Sequence, residues 1–122
     1  MINSEQRQLV HKFLLLDLAV KSLLVDYLKT EQFKLKNVFL PLMDVLLKDL
    51  RNECFDLKRQ LAQQKIRIVG WTKIDENFSD VQIATAGNDV ELRYAKQALK
   101  TQVENLIFNY LKEKNDNANS KN

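Results

Sequence analysis

The sequence predicts an α+β fold that is mainly helical: three long helices, with a two-stranded antiparallel β-hairpin between the second and the third. Three observations carry this prediction. Apolar residues recur at helical spacing over most of the chain, and near its middle the period changes to alternation. The 122 residues also include only two Gly and one Pro, too few for the many tight turns of a sandwich.

The first helix runs from about Glu5 to Lys29, because Asn3 or Ser4 offers a side-chain oxygen to the free N–H groups of a first turn. Its apolar residues form two stripes. Leu9, Phe13, Leu16, Val20, Leu23, Leu24 and Tyr27 make one, and Val10, Leu14, Leu18, Val25 and Leu28 make the other, with Asp17 and Lys21 between them. A helix touching one neighbour needs a single stripe. Two stripes place this helix between two surfaces, of which the second is either its own domain or a partner chain.

"TEQFKLKN" is the joint, and Pro41 sets the next start, because proline is easiest to place in a first helical turn. The second helix is therefore expected to begin between Val38 and Pro41 and to end at about Gln64. Leu40, Met43, Leu47, Leu50, Cys54, Leu57 and Leu61 alternate steps of three and four, a narrow seam suited to a neighbouring helix. Antiparallel packing on the first helix is the simplest way to cover it.

"KIRIVGWTKI" breaks the helical pattern with β-branched residues, a Gly and the sole Trp. Alternation puts Ile66, Ile68, Thr72 and Ile74 on one face and Arg67, Val69, Trp71 and Lys73 on the other. "DVQIATAG" alternates again after the connector "DENFS", so the pair reads as a hairpin over about residues 66–86. A lone hairpin is marginal in water and must lean on the helices. The face bearing Arg67, Val69, Trp71 and Lys73 then points outward, towards solvent or a second copy.

Gly87 ends the hairpin, and Asn88 or Asp89 is read as the cap of the last helix, with Glu91 completing a capping box. Leu92, Ala95, Leu99, Val103, Leu106 and Tyr110 make its buried stripe. One domain over residues 1–113 results, followed by a polar tail over 114–122 that is expected to be disordered.

Catalytic signatures are few. His11 has no second His or Cys at ligand spacing, no Ser sits in a nucleophile elbow, and two glycines cannot build a phosphate loop. The acidic connector with Asp75, Glu76 and Asp80 lacks the Gly and closing Glu of a calcium loop and reads as turn chemistry. No enzyme activity, cofactor or metal is expected. Cys54 is the only cysteine, so no intramolecular disulfide forms. The first residues lack a signal-peptide pattern, and Asp17, Lys21 and Asp26 interrupt the one oily run, so a cytoplasmic protein without a membrane span is expected.

The reading these features favour is a small non-enzymatic accessory protein that self-assembles as a homodimer and binds another protein, with Arg67, Val69, Trp71 and Lys73 at the interface. The alternative is a nucleic-acid-binding regulator. The net charge of +3 permits it, and Lys65, Arg67 and Lys73 on the hairpin with Arg93, Lys96 and Lys100 on the last helix would supply the phosphate contacts.

Overall fold

Asn3 caps the first helix. Its Oδ1 accepts the Gln6 N–H at 2.8 Å while Gln6 Oε1 accepts the Asn3 N–H at 3.0 Å, a reciprocal pair that satisfies two donors at once. The computed structural model describes residues 2–120, and the side chains of residues 2–114. In chain order the elements are α1 (Ser4–Thr30), α2 (Lys36–Gln63), β1 (Arg67–Lys73), β2 (Phe78–Ala84), β3 (Val90–Ala95) and α3 (Lys96–Ser120). The expected tail over 114–122 falls almost wholly on side chains outside the described residues.

α1 and α2 form an antiparallel hairpin: Lys12 pairs with Glu53 at 3.3 Å near one end, and Thr30 Oγ1 meets Met43 Sδ at 3.6 Å near the other. The expected seam packs within the chain, with Leu47, Leu50, Leu57 and Leu61 buried and Leu46 added to them. α2 starts at Lys36, earlier than the proline suggested, so Pro41 lies in the second turn. There the missing N–H leaves the Asn37 carbonyl without its helical donor, on an exposed side where water can replace it.

The two stripes of α1 have different fates along its length. In the first half Val10, Phe13, Leu14 and Leu16 are all buried, because α2, α3 and the sheet surround that half. Leu24, Val25 and Leu28, in the second half, remain exposed. The second stripe is thus core at one end of the helix and free surface at the other.

α2 closes with Ile66 N–H donating to the Leu61 carbonyl at 2.9 Å and Lys65 N–H donating to the Ala62 carbonyl at 3.0 Å. This is the Schellman pattern, and it requires a left-handed residue at Lys65, whose φ is 60°. Ile66 and Leu61, both buried, supply the apolar contact that accompanies the motif.

The sheet has three antiparallel strands in the order β1-β2-β3, which extends the two-stranded expectation. Val90–Ala95 was read as the start of the last helix but pairs with β2, from Val90 opposite Ile83 to Ala95 opposite Phe78. Asn88 caps no helix; it sits in the β2–β3 turn, where its N–H donates to Thr85 Oγ1 at 3.1 Å. Leu92 suits both periods. Val90 and Tyr94, β-formers on the same side of an alternating run, decide for the strand once β2 offers an edge. Two strands alone would be marginal, and the third makes the sheet self-supporting.

β1 carries a bulge between Ile68 and Gly70, with Ile68 opposite Ile83 and Trp71 opposite Val81. Val81 and Ile83 are fully buried on the helix-facing side of β2. The extra residue, Val69, therefore shifts the alternation by one, so that Ile68 and Trp71 face the helices together. At the β1–β2 turn Asp75 Oδ1 accepts the N–H groups of Asn77 (2.7 Å) and Phe78 (2.9 Å), so this acid serves the turn itself.

Candidate functional site

The bulge decides where the hairpin's functional candidates lie. Arg67, Val69, Trp71 and Lys73 were expected on one outward face, and they are not. Trp71 is half-buried against the core, with its ring 5.8 Å from Tyr94. Tyr94 in turn stacks on His11 at 5.6 Å, and its hydroxyl lies 3.2 Å from His11 Nδ1. The indole is thus one end of an aromatic row that joins β1, β3 and α1. Burial raises the Tyr94 phenol above its ordinary pKa and keeps the hydroxyl neutral. Arg67 and Val69 stay exposed, and Lys73 is exposed at the strand's end.

Arg67, Val69 and Trp71 nevertheless meet in one place. A groove of about 660 Å³ opens between the middle of α1, the end of α2 and β1. Ala62, Ile68, Val69 and Trp71 supply its open apolar surface over a buried floor of Phe13, Leu61 and Ile66, and Lys58, Lys65 and Arg67 stand on the α2–β1 side. Lys21 lines the other side together with Asp17, to which it is paired at 2.8 Å. Among the described residues Lys58, Lys65 and Arg67 have no acidic partner within salt-bridge distance. The sequence signalled Lys65, Arg67, Val69 and Trp71. Phe13, Asp17, Lys21 and Lys58 were missed, because residues on separate helices have no common motif to show that they meet.

The six cations considered for nucleic acid are spread over the molecule. Lys65, Arg67 and Lys73 belong to the β1 side. Arg93 is engaged by Asp80, with Nε donating to Oδ1 at 2.8 Å and a second bond to Oδ2 at 3.2 Å. This bidentate bond holds the Asp80 carboxyl below the usual carboxylate range and raises the Arg93 guanidinium. Lys96 and Lys100 line a separate groove between α3 and α1 that also contains Asp26 and Glu104.

A second feature lies at the far half of the helical hairpin. Leu24, Val25 and Leu28 of α1 and Phe33 in the connection are all exposed. So are Leu35, Val38, Leu42 and Val45 at the start of α2, between 55% and 64%. The steps 35–38–42–45 are three, four and three, a seam distinct from the buried one and legible in the sequence once the buried seam is subtracted.

Together these features define an α+β scaffold in which an antiparallel helical hairpin carries a three-stranded meander at one end and an uncovered apolar seam at the other. Among the described residues no helix is long and apolar enough to cross a membrane. The family described as "YhjD protein" matches residues 1–115, and the chain belongs to that family. No curated protein and no solved structure matches it.

Proposed function

We propose that this chain is a small non-enzymatic binding protein that self-assembles as a two-fold homodimer through the outer half of its α1–α2 hairpin. The observation that supports this reading is the exposed seam Leu35, Val38, Leu42 and Val45. Its spacing is symmetric about position 40. An antiparallel second copy would set Val38 against Leu42 of its partner and Leu35 against Val45, so the surface is complementary to itself. Contiguous exposed apolar patches mark interaction surfaces more often than do single exposed apolar residues.

The interface envisaged at Arg67, Val69, Trp71 and Lys73 has less support than this seam, because Trp71 faces the core. The nucleic-acid reading also has less support, since Arg93 is engaged with Asp80, and Lys96 and Lys100 line a groove apart from Lys65 and Arg67. Such binding would show as a steep loss of affinity with salt.

Light scattering tests the dimer. Fully burying a Leu stabilises by roughly 2 kcal/mol. Leu42 is 64% exposed, leaving about 1.3 kcal/mol per copy to be gained on association. Leu42→Ala should therefore weaken the dimer by up to about 2.6 kcal/mol, on the order of 70-fold. A wild-type mass of one chain at micromolar concentration, or an unchanged dimer constant in Leu42→Ala, refutes the proposal.

A further inference from the structure

We infer that the groove between α1, α2 and β1 binds a small amphiphile with one hydrocarbon chain and an anionic head, specifically a medium-chain fatty carboxylate. The lining chemistry carries the inference. Apart from the indole of Trp71, every side chain on the groove is either apolar or charged; none is Ser, Thr, Asn, Gln, Tyr or His. The indole N–H of Trp71 is the one neutral hydrogen-bonding group among these side chains, too little to orient the several polar groups of a sugar, a base or a peptide. Such a wall suits hydrocarbon laid on Ala62, Ile68, Val69 and Trp71, with a charge at the rim.

The sign of that charge follows from the balance on the wall, which has four cations and one acid. Asp17 is neutralised by Lys21 at 2.8 Å, leaving Lys58, Lys65 and Arg67 without an acidic partner among the described residues. The C-terminus of α2 adds about half a negative charge, which three cations outweigh. Arg67 offers the planar fork that matches a carboxylate with two parallel bonds.

Size separates a small ligand from a protein partner. The groove's volume of about 660 Å³ lies within the ordinary range of small-molecule pockets. It is a recess among three elements, whereas a protein partner needs roughly 800 Å² of surface on each side. The groove lies on the sheet end of the helical hairpin, away from the seam at 35–45, so this inference stands apart from the dimer proposal.

Titration of the full chain with decanoate below its aggregation concentration tests it, read by calorimetry and by Trp71 fluorescence. Saturable binding of one decanoate per chain is expected, shifting the emission of the sole Trp. The double substitution Lys58→Ala, Arg67→Ala changes exposed residues, and should leave the far-UV spectrum intact while weakening binding about ten-fold or more. Decanol and decyltrimethylammonium should bind at least about ten-fold more weakly than decanoate. Absence of saturable heat, equal affinity for decanol, or full affinity in the double variant overturns the inference. So does association with anionic vesicles in place of free decanoate.

Discussion

Lys65 occupies a backbone position that favours glycine, and its replacement tests two separate properties. At φ 60° an L-residue is strained by about 1–2 kcal/mol, through contact of Cβ with its own backbone. Lys65→Gly removes that strain but adds freedom to the unfolded chain, at a cost of about 0.5–1 kcal/mol. The difference predicts a net gain of about 0.5–1 kcal/mol. For a chain of 122 residues this is a rise in Tm of roughly 2–4 °C. Lys65→Ala keeps the Cβ and the strain, so its stability should stay near that of wild type. Both variants remove the same ammonium from the groove and should weaken decanoate binding alike. Thermal and urea unfolding of the three proteins decide the first point, and calorimetry the second. A Lys65→Gly protein less stable than wild type, or a Lys65→Ala protein stabilised equally, refutes the assignment of strain to this cap. Loss of decanoate binding in Lys65→Gly but not in Lys65→Ala would show that backbone geometry, rather than charge, serves the groove.

Two further perturbations follow from the ionisable groups. Arg93 holds the Asp80 carboxyl below its unfolded pKa, so the pair's contribution is full above about pH 4 and fades as pH falls through the lower, folded value. Asp80→Asn should therefore lower stability at pH 7 but converge on wild type in strong acid; urea midpoints that differ by the same amount from pH 7 to pH 2 would contradict this. Burial, and secondarily Asp17, pushes the Cys54 thiol above its ordinary pKa. Its reaction with a disulfide reagent at pH 7.5 should be several-fold slower than that of free cysteine, and become fast only on unfolding; a native rate equal to the unfolded one would place Cys54 in the open.

The start of α1 and the buried seam of α2 followed closely from capping and spacing, because both are local. Asn3 opens α1, and the seam from Leu47 to Leu61 packs on it, as three–four alternation requires. Two readings failed where one residue served two patterns. Leu92 continues a helical stripe towards Leu99 and equally an alternation with Val90 and Tyr94; only the hydrogen-bonding edge of β2 chooses between them. Trp71 was placed outward by counting in twos from Arg67. The bulge at Val69 adds one residue to the count, and Gly70, a glycine inside a strand, is the signal beside it.

The amino-acid order by itself determined the class of fold, the ends of α1 and the buried seam of α2, since each rests on contacts between residues a few positions apart. Tertiary structure alone decided that the second stripe of α1 is core over one half and free over the other, because the cluster that covers it includes Val81 and Ile83 of the sheet and Val103 of α3, far along the chain. It also decided that Phe13, Lys58, Arg67 and Trp71 share one groove. A ligand surface assembled from three elements has no period of its own, so it exists only once those elements pack.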